Sequence, residues 1–118
     1  VTCKSIALLR RRTDLSREAF ITYYEERHAP LIRSLLPGIV DYRRNFTNFD
    51  AAYVSEGAAP FDFDVVTELW FMDRAAYDAA MAIATRADIA QRIAEDEANF
   101  LDRTGTRMFL VDERESPR

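Results

Sequence analysis

The feature that most constrains this chain is that its extended segments are apolar on both parities, although the whole chain is only 118 residues long. In residues 3–11, Ile6 and Leu8 share one parity and Ala7 and Leu9 the other, the pattern of a strand covered on both faces. Residues 63–71 repeat it, with Phe63, Val65, Leu69 and Phe71 on one face and Asp64, Val66, Glu68 and Trp70 on the other. A chain this short has helices for one face of a sheet only. The second face therefore asks for an outside cover, and a homodimer packing sheet against sheet is the economical one. A hydrophobic content of 48% suits one compact domain spanning residues 1–118.

Helical periodicity fills the intervals between strands. Ser16 suits an N-cap, with Leu15 and Phe20 spaced as a hydrophobic staple, so a helix starts near residue 17. On it Phe20, Ile21, Tyr24, His28, Leu31, Ile32 and Leu35 fall within roughly 120° of arc, with Thr22 and Glu26 opposite. Pro30 lacks a backbone donor and predicts a kink just after His28 that bares carbonyls beside the imidazole. Leu36, Pro37 and Gly38 end the helix, and residues 39–49 read as a second strand carrying Val40, Tyr42, Arg44 and Phe46 on one parity.

Residues 50–62 have no period and form the one long loop, a hairpin connection or a lid. Beyond the strand at 63–71, Asp73 caps a helix over 74–84, with Met72 and Tyr77 as its staple. Thr85 caps a third helix over 86–101 whose inner side carries Ile89, Ile93, Ala94, Glu97 and Phe100; Thr104 and Gly105 follow its end. A last strand at 106–113 and a fraying polar tail at 115–118 complete the chain. The order β-α-β-β-α-α-β is an α+β, ferredoxin-like plan: an antiparallel sheet with helices on one face.

His28 is the only histidine, and it stands in the middle of the apolar helical stripe. Two roles are open to it: a core residue with satisfied ring nitrogens, or a general acid or base in an aromatic pocket. Proton transfer needs such a group, a partner that fixes its tautomer and a wall that excludes water. Asp64 or Glu68 is the candidate partner, and Tyr24, Tyr42 and Trp70 supply rings, with Phe20 and Phe46 beside them. Against this, Asp64 and Glu68 could instead pair with Arg10, Arg43 or Arg44 across the sheet. Tyr24, one turn before His28, could share a substrate oxygen or be simple core.

Composition narrows the rest. A net charge of −4, from 20 acidic and 16 basic residues, gives no electrostatic footprint for nucleic acid or an anionic membrane. No run approaches the roughly 18 apolar residues of a membrane span, and the start lacks a signal-peptide pattern, so a cytoplasmic protein is expected. Cys3 stands alone, without the setting a nucleophilic thiolate needs. One histidine among dispersed carboxylates matches no metal-ligand spacing, and three glycines make no phosphate-binding loop, so no metal and no cofactor is expected. The first residue is valine, as in a chain that lacks its initiator or has been trimmed.

Three segments carry a resemblance. They are Leu8-Leu9-Arg10-Arg11 followed by Leu15-Ser16-Arg17-Glu18-Ala19-Phe20, then Tyr24-Glu25-Glu26-Arg27-His28-Ala29-Pro30-Leu31, and Phe63-Asp64-Val65-Val66-Thr67-Glu68-Leu69-Trp70-Phe71. In this order and spacing, over most of residues 4–112, the chain resembles the EthD-type branch of the dimeric α+β barrel superfamily. The resemblance implies a cleft between helices and sheet, used in related families for cofactor-free lactone isomerisation, polyketide cyclisation or dehydration, or cofactorless oxygenation. It implies as an alternative a non-catalytic ligand-binding or accessory role beside an oxidative pathway. His28 matches the family's helical histidine, Tyr24 stands where an aromatic is usual, and Asp64 and Trp70 match the strand motif. The expectation is a cofactor-independent lyase, isomerase, cyclase or dehydratase acting on a small hydrophobic or aromatic metabolite. Its residues would be His28, Tyr24 and Asp64 for catalysis, and Trp70, Tyr42, Phe46, Glu68 and Phe20 for binding.

Overall fold

The computed structural model describes residues 2–118; Val1, the non-methionine start, lies outside them. The elements are β1 (Cys3–Arg11), a continuous helical segment made of α1 (Arg17–Tyr23), a π turn (Tyr24–His28) and α2 (Ala29–Leu35), then β2 (Ile39–Phe46), β3 (Val65–Phe71), α3 (Arg74–Ala84), α4 (Ala87–Glu97) and β4 (Leu101–Val111). The sheet order is β2-β3-β1-β4, with antiparallel pairing throughout. This is the α+β, ferredoxin-like plan read from the periodicities. Among the described residues no helix is long and apolar enough to cross a membrane.

Strand parity sorts the two faces. Ser5, Ala7 and Leu9 of β1 and Val65, Thr67, Leu69 and Phe71 of β3 are buried beneath the helices. Their neighbours Ile6, Leu8, Val66, Glu68 and Trp70 are half-buried on the outer face. Phe109 of β4 stands opposite Ile6 there and is exposed. On this face Lys4 lies 2.5 Å from Glu68 and 2.8 Å from Glu113, and its ammonium stacks 4.6 Å from the Trp70 ring. The inner core gathers Phe20, Tyr24 and Phe100, with Phe46 meeting Phe20 edge-on at 6.1 Å.

The caps behave as their side chains dictate. Ser16 Oγ accepts from the Ala19 N–H at 3.1 Å, and an Asp73 carboxylate oxygen accepts from the Ala76 N–H at 2.8 Å. Thr85 does not cap α4: its hydroxyl donates back to the Met81 carbonyl at 3.0 Å and closes α3, while Arg86 begins α4 without a side-chain cap.

Four boundaries differ from expectation, each because tertiary pairing overrides local pattern. α4 ends at Glu97, not 101, and β4 begins at Leu101, not 106. The end of β1 claims the intervening residues: Arg10 pairs with Asp102, Arg11 with Leu101, and the Arg12 N–H donates to the Phe100 carbonyl at 3.0 Å. Gly105 is thus no helix terminator. It lies inside β4 beside a register shift, where an added Cβ would stand 2.6 Å from Cβ of Arg10.

β2 ends at Phe46 and β3 starts at Val65, one rung beyond being kept by the Thr47 N–H to the Asp64 carbonyl at 2.9 Å. At the other end of β2 a shift between Ile39 and Asp41 leaves Val40 exposed, and Ile39 takes the inner place. The connection over 47–64 is an arm, with Tyr53 88% exposed and Phe61 meeting Phe49 and Phe63 edge-on. Arg107 ties it to β4 by two bonds to Asp62, at 2.9 and 3.0 Å.

Replacing Gly105 by Ala should destabilise the fold by about 1–3 kcal/mol, the usual cost of overpacking, because the obstructing atom belongs to the base of Arg10 and cannot swing away. Urea unfolding of the two proteins reads this as a lower midpoint at an unchanged slope.

Candidate functional site

The site begins with a missing hydrogen. Pro30 has no N–H to give to the carbonyl of Glu26, and the helix answers by widening rather than simply kinking: the Ala29 N–H donates to the Tyr24 carbonyl five residues back. The π turn over Tyr24–His28 buries both of its end residues, Tyr24 to 1% and His28 to 4% exposure, on the side that faces the sheet. Phe100 lies tilted against the imidazole at 4.8 Å and Tyr24 meets it edge-on at 5.0 Å.

The partner of His28 comes from α4. His28 Nδ1 lies 2.6 Å from a carboxylate oxygen of Asp96, whose other oxygen accepts from the Tyr23 hydroxyl at 2.7 Å. Asn99 in turn donates to that hydroxyl at 2.9 Å. A carboxylate acceptor fixes the proton on Nδ1 and leaves Nε2 as the bare, basic nitrogen. Nε2 has no hydrogen-bond partner among the described residues. Burial lowers the His28 pKa, opposed by the hydrogen bond and charge of Asp96, so the ring is held neutral.

A cavity of about 370 Å³ opens beside this ring, between the helices and the sheet. Its floor is Ala7, Leu9, Thr67 and Leu69, and its roof includes Ile32, Ala84, Ala90 and Ile93. Tyr24 and Tyr42 stand at the β2 side. The Tyr24 hydroxyl lies 2.6 Å from Thr67 Oγ1 and 3.0 Å from the Tyr42 hydroxyl. Burial raises the Tyr24 pKa to about 12 and that of Tyr42 well above its ordinary value, so both phenols stay protonated. Three hydroxyls carry three protons, and two internal bonds use two. When the chain runs from Thr67 toward Tyr42, the third is offered by Tyr42 to the cavity.

The residues singled out in the sequence thus separate into three groups. His28, Tyr24 and Tyr42 line the cavity together. Phe20 and Phe46 pack behind Tyr24, at 6.5 and 5.7 Å, and support it without lining the space. Asp64, Glu68 and Trp70 are not in the cavity. Asp64 accepts from the Arg11 backbone N–H at 2.7 Å, and Glu68 binds Lys4 and accepts from Asn45 at 2.9 Å. Trp70 lies between Lys4 and Arg43. Even-numbered residues of β3 face away from the helices, so no rotamer brings Glu68 or Trp70 to His28. The cations that hold the two acids are Lys4 and Arg11 rather than Arg10, Arg43 or Arg44. None of the residues of the 47–64 arm lines the cavity.

Asp96 is the partner that sequence reasoning missed. Its signal was present: it lies three residues after Ile93 and seven after Ile89, on the inner stripe of α4.

Wyman linkage gives a direct check on His28. Its folded pKa is lowered, so below the ordinary imidazole value of about 6.5 the unfolded chain binds the proton that the folded one refuses. Its contribution to stability is therefore whole above that value and falls as pH drops through the window beneath it. The unfolding free energy of wild type minus that of His28→Gln should decline on acidification below about pH 6.5 and be flat above it. A difference independent of pH would contradict the buried neutral ring.

A sequence model of the EthD domain matches residues 12–104. Among solved structures, an EthD family protein of Bacillus halodurans C-125 is 24% identical with a TM-score of 0.64, covering 97% of this chain and 100% of its own. A dimeric ferredoxin-like protein of unknown function from Jannaschia sp. CCS1 is 19% identical at a TM-score of 0.59, covering 96% and 100%. SnoaB, a cofactor-independent oxygenase of Streptomyces nogalater, is 12% identical at 0.59, covering 98% and 95%. No curated protein matches the sequence.

Proposed function

The chain belongs to the EthD domain family, and on that premise we propose that it is a cofactor-independent acid/base enzyme, of the lyase, isomerase, cyclase or dehydratase kind, with His28 as its proton carrier. Its substrate is a small aromatic, lactone or polyketide-like molecule. The observation that supports this most is the 2.6 Å bond from His28 to Asp96 in a ring that lines a mostly apolar cavity. A neutral imidazole with Nδ1 engaged and Nε2 free is an arranged base. Water, which would compete for the proton and weaken every charge interaction, is displaced once an apolar guest fills the space.

The steps follow from the groups in place. Nε2 of His28 takes a proton from an acidic C–H of the bound molecule, and Asp96 stabilises the imidazolium that forms. Negative charge moves to the neighbouring carbonyl oxygen, which accepts a hydrogen bond from the Tyr42 hydroxyl, backed by Tyr24 and Thr67. His28 then returns the proton at a second carbon, or to a departing hydroxyl, which separates isomerisation from dehydration. Asp64, placed on Arg11, has no part in these steps.

Oxygenation without a cofactor is the second reading. It shares the first step and is favoured by the apolar lining, in which the carbanion meets dissolved dioxygen. Oxygen consumption by the purified protein with substrate would mark it.

A test independent of the natural substrate is proton exchange into 2-tetralone in D2O, followed by NMR. Wild type should accelerate it, His28→Gln should lose about 10²–10⁴-fold, and Tyr42→Phe about 10-fold or more. Tight binding of the ketone without exchange would favour a non-catalytic carrier. Exchange within a few-fold of wild type in folded His28→Gln would remove the proposal.

The outer sheet face belongs to the same reading: a second copy covers Ile6, Leu8, Val66, Trp70 and Phe109. Phe109→Asp, which sets a charge in the middle of that face, should convert a dimer to a monomer in sedimentation velocity; a wild-type monomer at every concentration would refute the dimer.

A further inference from the structure

The cavity has a second polar end that the proton transfer leaves unused. It lies over β4, where Glu97, Arg103 and Thr106 line the space, whereas the phenols lie over β2 and β3. β1 runs between, contributing Ala7 and Leu9, so the two ends are joined by an apolar floor. Between β3 and β4 there are two strand spacings, roughly 10 Å, the reach of a flat molecule of two or three rings.

The chemistry of this end is specific. Arg103 Nε lies 3.2 Å from Glu97 Oε1, and the Glu97 side chain is only 15% exposed against 58% for Arg103. The pair holds the guanidinium through Nε, and its two terminal nitrogens meet no protein acceptor among the described residues. A planar fork left open in that way is suited to two parallel bonds to a carboxylate. Beside it, Thr106 Oγ1 is buried with no hydrogen-bond partner, a polar atom whose desolvation nothing in the protein offsets. Burial keeps the Glu97 carboxyl above its ordinary pKa in spite of Arg103.

We propose that Arg103, oriented by Glu97, anchors a carboxylate at the β4 end of the cavity, so that the ligand is a flat fused-ring or conjugated carboxylic acid whose opposite end bears the hydroxyl or carbonyl oxygen that meets Tyr42. This rests on the cavity being the binding site of the proposed function and adds the ligand's class and direction. Arg103 is a specificity residue: it selects and orients, and the proton still moves at His28.

The test compares 6-hydroxy-2-naphthoate with its carboxamide by calorimetric titration. Wild type should bind the carboxylate about tenfold or more tightly than the amide, the advantage of a charged hydrogen-bonded pair. Arg103→Gln should erase that preference while leaving the amide unchanged; Arg103→Lys should restore part of it, because the charge returns without the fork. Equal affinity for the two probes, no binding of either, or a preference that survives Arg103→Gln would each overturn the assignment. The same ratio measured in His28→Gln separates this inference from the catalytic one. A preference retained there, in a protein whose exchange activity equals wild type, removes the base and leaves the anchor; exchange lost on His28 replacement without any preference does the reverse.

Discussion

One absent N–H organises the site. Pro30 cannot close an α turn onto Glu26, and the π turn that results makes room for one more residue between Tyr23 and Ala29. Both ends of the turn point to the sheet, so a phenol and an imidazole stand side by side, and the imidazole reaches across to Asp96 on α4. The bond joins the helical segment to α4, beside the bond from the Tyr23 hydroxyl to the same carboxylate. It also explains why an otherwise unfavourable bulge persists: a π turn costs hydrogen-bond geometry, which the packing of Phe20, Tyr24 and Phe100 over the sheet offsets.

The electrostatics work by opposition. Burial disfavours the imidazolium and Asp96 favours it; burial prevails at rest, while the carboxylate remains available when the ring takes a proton. A histidine without Asp96 would be a poorer base, and one in water would need no such help. The phenols follow the same rule with the opposite use. Their ionisation is suppressed, which makes Tyr24 and Tyr42 dependable donors and unsuitable bases. Acid and base roles are thereby divided between two elements packed against the same apolar space.

Much of this was legible in residue order. The strand parities of residues 3–11 and 65–71, the Ser16 and Asp73 caps, and the placing of His28, Tyr24 and Tyr42 on inward faces follow from local rules and agree with the structure. What stayed hidden depended on distant pairing. Gly105 after Thr104 looks like a helix stop, and only the approach of Arg10 shows that it serves a strand. Asp64 and Glu68 drew attention because they are acids near an aromatic strand, yet parity alone commits Glu68 to the opposite face from His28. Asp96 shares the inner stripe of α4 with Ile89 and Ile93, but the stripe alone does not say that an acid on it meets an imidazole from another helix.

The cavity itself is the strongest argument that the site is functional. Its floor and roof are lined at Ala7, Ala84 and Ala90 by methyl groups where a leucine or isoleucine would fill the space. Interiors pack to high density, and a void of this size forfeits dispersion contacts that larger side chains would recover. A merely structural domain gains nothing by keeping it, nor by leaving Thr106 Oγ1 without a partner. Both costs vanish when a guest occupies the space and accepts or donates at that hydroxyl. On the function proposed above, the small residues and the unpartnered oxygen serve one requirement, room and a polar contact for a bound molecule.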